Sequence, residues 1–174
     1  NEYEALRKAY EAGIAVFAAA GNDDSDTLAY PACYGKMVCS VGALQQDGRK
    51  AYFSNYNSIV RVAFPGLDIN STSKSGTSSY EVMSGTSMAC PVATGTAAVI
   101  LSGASDIPAL KNLTGSKKVD ALISIMQKNA VKSPSAGMGA GTTYLPKVFG
   151  ITPDRADAVP AAPVFDQPNK TTFT

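Results

Sequence analysis

Six consecutive small or apolar residues, Ile14-Ala15-Val16-Phe17-Ala18-Ala19, follow directly on Gly13. A short run of this kind, with no polar alternation, suits a parallel strand covered on both faces. Ahead of it Tyr3, Leu6 and Tyr10 recur at helical spacing with Ala9 between them, and Gly13 stands where a helix is capped. Helix followed by buried strand is half of a βαβ unit, which points to an α/β chain. Met37 to Val41, Ile59 to Phe64 and Leu67 to Thr72 are expected as further short strands. Turn chemistry at Asp47-Gly48, Asn55 to Asn57 and Pro65-Gly66 separates them. Thr86 to Leu101, rich in Ala, Val and Met and apolar on most sides, is expected as a helix buried at the domain centre. Val119, Leu122, Ile123, Met126 and Ala130 define an amphipathic surface helix over Lys117 to Ala130.

A chain of 174 residues holds one ordinary domain, which buries roughly 70% of its unfolded surface. We place that domain at 1–150. Beyond it Pro153, Pro160, Pro163 and Pro168 mark 151–174 as a stiff Pro/Ala-rich tail or linker. Fifteen basic and fourteen acidic residues leave a net charge of +1, so no overall field attracts nucleic acid or an anionic membrane, and neither is expected as a partner. No run of 18 uncharged apolar residues occurs, and Asn1-Glu2-Tyr3-Glu4 lacks the blocks of a signal peptide. The histidine count is zero, so the chain cannot by itself supply the base of a Ser-His or Cys-His pair, or a histidine metal site. Cys33, Cys39 and Cys90 are too few and too irregular for a zinc site.

Ser84-Gly85-Thr86-Ser87-Met88-Ala89-Cys90-Pro91 puts a hydroxyl on a Gly-flanked turn at the entry of the expected central helix. Unpaired N–H groups and the positive end of the helix dipole there can stabilise an anion forming beside Ser87. The plainer alternative is that Thr86 or Ser87 merely caps the helix. Gly85-Thr86-Ser87-Met88-Ala89 with Pro91 resembles the nucleophile motif of the subtilisin-like serine proteases, and Ala18-Ala19-Ala20-Gly21-Asn22 resembles their oxyanion-hole motif. Between them Tyr30-Pro31-Ala32, Ser40-Val41-Gly42-Ala43, Phe53-Ser54-Asn55-Tyr56 and Pro65-Gly66 stand in the family's order.

That resemblance implies a subtilisin-like α/β fold with a mostly parallel sheet flanked by helices, incomplete without an upstream segment that carries the catalytic His and Asp. It implies a serine endopeptidase acting on polypeptides through an acyl-enzyme on Ser87, with Asn22 donating its amide to the oxyanion. The alternative is a non-catalytic relative kept for binding or structure. Ala18, Ala19, Ala20 and Gly21 resemble one wall of the substrate pocket and Ala29 its floor, leaving room for a large apolar P1 side chain. Asp23, Asp24 and Asp26 follow the oxyanion motif and read as a solvated loop or an acidic lip to the pocket.

No cofactor is required; calcium is a candidate structural ion, although Arg61 stands where some relatives have a ligating Asp. Val92 replaces a non-catalytic histidine common in the family. Cys33 and Cys39 flank a Tyr34-Gly35 turn and are expected to close a small disulfide ring, with Cys90 a free, inert thiol. Together with N-glycosylation sequons at Asn70, Asn112 and Asn169, this points to a secreted enzyme.

Overall fold

A computed structural model describes residues 1–151. Helix α1, Glu2–Glu11, opens on Asn1, whose side-chain oxygen accepts from the Glu4 N–H at 3.1 Å. It stops where expected. Gly13, at φ +87°, lets its own N–H and that of Ile14 return to the carbonyls of Tyr10 and Ala9, and a Cβ there would come within 3.2 Å of the Gly115 backbone.

The central sheet is parallel, in the order β1-β2-β3, with β1 at Val16–Ala19, β2 at Val38–Leu44 and β3 at Val60–Pro65. All seven residues of β2 are buried, as a middle strand with both faces covered requires. The expectation for β1 is only partly met. Ala18 is its one buried residue and Ile14 just before it is 58% exposed, because β1 is an edge strand among the described residues.

Helix α2, Thr86–Ser102, packs across all three strands. Its buried positions Ala89, Ala93, Ala97 and Ile100 form a single stripe of mostly small side chains that lets the helix lie close to the sheet. The opposite side is open: Pro91, Thr94, Ala98 and Val99 are exposed, so burial is one-sided rather than all round. Helix α3, Gly115–Lys128, buries Val119, Leu122, Ile123 and Met126 as the spacing predicts, with Ile125 added, while Ala130 lies beyond its end in a short strand. It lies beside α1, where the Tyr10 hydroxyl donates to Asp120 Oδ1 at 2.7 Å.

The segment after Pro65 departs most from expectation. Ile69–Thr72 is a strand, but it leaves the parallel sheet and pairs antiparallel with an unforeseen strand, Tyr80–Met83, with Ile69 opposite Met83. These are β4 and β5, and every residue of the two strands except Ile69 is exposed. Short strands β6, Ala130–Val131, and β7, Thr142–Thr143, and the single turn α4, Leu145–Val148, complete the described chain. Within it, no helix is long and apolar enough to cross a membrane. The tail reading of 151–174 lies, from residue 152 onward, outside the described residues, as does Asn169.

The expected ring between Cys33 and Cys39 is absent: all three cysteines are free thiols. Cys39 is drawn into the core as part of β2, opposite Phe17, with 2% of its surface exposed, while Cys33 stays in the turn before it. Burial pushes the Cys39 thiol from 9.0 to about 12, since a thiolate there would be stripped of water. Native Cys39 therefore holds its proton through a range in which the unfolded chain releases it, and its contribution to stability falls as pH rises from about 9 to about 12. Urea unfolding across that range should show the decline, and Cys39→Ala should make the curve flatter; an unchanged slope in the variant would refute the assignment.

Candidate active site

Three segments meet at the start of α2. The end of β1 delivers Ala20-Gly21-Asn22, the end of β3 delivers Pro65-Gly66, and β5 runs through Ser84-Gly85 into the helix. Gly66 is required by this approach. A Cβ on it would lie 2.7 Å from both the Ala43 Cβ and the Gly85 carbonyl oxygen, and the Gly85 N–H donates to Gly66 O at 2.8 Å.

The N-cap of α2 is Gly85, which has no side chain with which to cap. Asn22 does this work from the other segment: its Oδ1 accepts from the Thr86 N–H at 2.9 Å and from the Thr86 hydroxyl at 2.8 Å. Thr86 Oγ1 in turn accepts from the Gly21 N–H at 3.3 Å. Neither Thr86 nor Ser87 caps the helix with its own side chain, so the plain capping alternative does not describe this turn. A backbone N–H can only donate, so the Asn22 atom that faces it must be the oxygen. The amide Nδ2 is thereby turned outward, with no acceptor among the described residues.

A second donor remains beside it. The Thr86 N–H goes to Asn22, and those of Met88 and Ala89 return to Gly85 O at 3.0 and 3.3 Å, which leaves the Ser87 N–H unused. Asn22 Nδ2 and Ser87 N each lie 3.6 Å from the point a Cβ on Gly85 would occupy, so the two donors flank one spot. The Ser87 side chain is exposed, and its hydroxyl has no partner among the described residues. An exposed hydroxyl beside two unspent donors at the positive end of a 17-residue helix is suited to attack a carbonyl and to hold the resulting oxyanion. Cys90, one turn on, is a poor rival, because burial raises its thiol above the ordinary value and so disfavours the thiolate.

Ala18 and Ala19 line an open depression of about 460 Å³ with Phe17, Ser87, Cys90, Pro91 and Thr94. Ala20 is 2% exposed and is not among the residues that line it. Gly21 and Ala29 are half-buried outside it; the Ala29 carbonyl accepts from the Cys33 N–H. Arg61 is half-buried on β3. Sequence reasoning overlooked Thr86 as the partner that sets the Asn22 amide. The available signal was a hydroxyl residue between Gly85 and Ser87, which reads equally well as a cap.

Comparisons with known proteins identify the family and the fold. A model of the subtilase family matches residues 1–141. Subtilisin DY of Bacillus licheniformis is 43% identical over 103 residues, which are 57% of this chain and 36% of that protein. Subtilisin-like protease 1 of Pseudogymnoascus destructans is 34% identical over 128 residues, 72% of this chain and 30% of that protein. The chain thus spans about a third of the length of these relatives. Among solved structures, a protease from Pseudoalteromonas arctica superimposes with a TM-score of 0.72 at 29% identity, covering 85% of this chain and 45% of the other. The fold is subtilisin-like, and the chain belongs to the subtilase family of serine proteases.

Proposed function

We propose that this chain carries the nucleophile and the oxyanion hole of a serine endopeptidase. The observation that supports this reading most directly is the pair of unspent donors, Asn22 Nδ2 and Ser87 N–H, beside the exposed Ser87 hydroxyl. In the proposed reaction Ser87 Oγ adds to a peptide carbonyl and gives up its proton to a histidine, which an aspartate orients. The two donors hold the negative oxygen of the tetrahedral adduct. Collapse expels the amine, which takes the proton from the histidine, and leaves an acyl-enzyme on Ser87. Water then hydrolyses that ester with the same base assisting.

This chain contains no histidine, so the base that serves Ser87 comes from sequence outside it, and the family resemblance puts the aspartate there as well. Two surfaces favour such a segment: the outer edge of β1, unpaired among the described residues, and the exposed flank of α2 at Pro91, Thr94, Ala98 and Val99. The small side chains of Ala18 and Ala19, which line the depression beside Ser87, favour a large apolar P1 residue. Exposure of Asn70 on β4 and of Asn112 favours glycosylation at both, and with it a secreted protein.

Three substitutions test the assignment, in full-length protein that includes the His- and Asp-bearing segment, with turnover measured per folded molecule on a peptide substrate. Ser87→Ala should lower turnover by about 10⁶, the known cost of losing this nucleophile in a subtilisin. Asn22→Ala should cost about 10²–10³, again the known figure for such an asparagine, and about 1 kcal/mol of stability through the lost cap. Asn22→Asp retains an acceptor for Thr86 but replaces the donor with a negative charge, so it should keep the cap and lose at least as much turnover as alanine. Full activity of Ser87→Ala would eliminate the mechanism.

A further inference from the structure

Two side chains of the β2–β3 connection close on the segment that bears Asn22. Asn55 is 0% exposed, and its N–H and side-chain amide are both directed at this one loop. Its N–H donates to Gly21 O at 2.9 Å, and its Oδ1 accepts from the Asp23 N–H at 2.8 Å and the Ser25 N–H at 3.4 Å. Its Nδ2 donates to Asp23 Oδ2 at 3.3 Å and to Thr27 O at 3.4 Å. The residues immediately before and after Asn22 are therefore both held by Asn55, Gly21 through the main-chain N–H and Asp23 through the side chain that Asn55→Ala removes. The fit is close: a Cβ on Gly21 would fall 2.3 Å from Asn55 Nδ2.

Lys50 pins the next residue. Its ammonium donates to Asp24 Oδ1 at 2.5 Å and to the carbonyls of Ala51, Tyr52 and Ser54 at 3.2–3.4 Å, and stands 5.2 Å from the centre of the Tyr56 ring. The Asp24 N–H donates to Phe53 O at 2.9 Å.

Thr86 sets the rotation of the Asn22 amide, yet it does not fix where the Asn22 backbone lies. We propose that Asn55, assisted by Lys50, is a positioning residue for the oxyanion hole: it fixes the backbone on both sides of Asn22 so that Nδ2 meets the developing oxyanion. This rests on the endopeptidase reading above. An oxyanion donor acts over hydrogen-bond distance, so a shift of about 1 Å in the loop is enough to remove most of its benefit. A role of this kind acts through Asn22 alone, which separates it from a general contribution to folding.

The test is a double-mutant cycle in the full-length protein, measuring kcat and KM on a peptide substrate and the affinity of a peptidyl boronic acid that forms a tetrahedral adduct. Asn55→Ala should lower kcat about 10-fold at nearly constant KM and weaken the boronic acid in parallel. In an Asn22→Ala background the same change should cost less than about 2-fold, because the donor it positions is gone. Lys50→Met, at a half-buried side chain, should show the same pattern at about 3-fold, and decides the matter if Asn55→Ala does not fold. Asn57→Ala serves as the folding control. Its side chain binds Asp26 O, Thr27 O and the N–H groups of Ile59 and Val60 but neither neighbour of Asn22, so stability should drop while kcat holds. Equal losses in both backgrounds, or an unchanged kcat in both Asn55→Ala and Lys50→Met, would overturn the positioning role. Full turnover by Asn22→Ala would instead defeat the endopeptidase reading itself.

Discussion

The carboxamide of Asn22 joins two segments 64 residues apart, and the site is arranged around that junction. Its oxygen takes the first N–H of α2 and the Thr86 hydroxyl, which gives the helix the cap that Gly85 cannot provide. The orientation of the nitrogen follows from the same contact. One planar group therefore fastens the end of β1 to the start of α2 and exposes a donor beside Ser87, so the proposed oxyanion hole and a structural closure have a common cause.

Glycines make that closure possible where chains come closest. Gly66 lets the end of β3 pass within contact of Gly85 and Ala43, and Gly21 leaves space for the Asn55 amide. Small residues serve the same end in α2, where Ala89, Ala93 and Ala97 bring the helix onto the sheet and so bring its first turn level with the ends of β1 and β3. Larger side chains along that stripe would lift the helix and carry Ser87 away from Asn22.

Features with local causes were the ones legible in the sequence. The boundary at Gly13 follows from a periodic helix ended by a residue free to take positive φ, and α3 follows from the spacing of Val119, Leu122, Ile123 and Met126. Strand β5 was not legible, since Tyr80–Met83 is exposed and owes its conformation to pairing with β4. The covered strand expected at Ile14 to Ala19 is an edge strand among the described residues; an apolar run registers what a strand needs covered, not whether the covering lies in the same chain. Ser87 and Asn22 were found through motifs. The parts played by Thr86 and Asn55 were not, because each depends on a partner distant in the chain that spacing cannot reveal.

The double duty proposed for Asn22 bears on how relatives that have abandoned catalysis should be recognised. The Ser87 hydroxyl makes no hydrogen bond within the described chain, so a lineage released from selection for proteolysis can lose it at little cost to folding. Asn22 is different, because its loss also leaves the first N–H of α2 and the buried Thr86 hydroxyl without an acceptor. Decay of such a site should then be ordered, with the nucleophile disappearing first and the asparagine persisting as a fossil of the oxyanion hole. Retention of the asparagine alone is a record of ancestry and architecture, whereas retention of the serine speaks for continuing use.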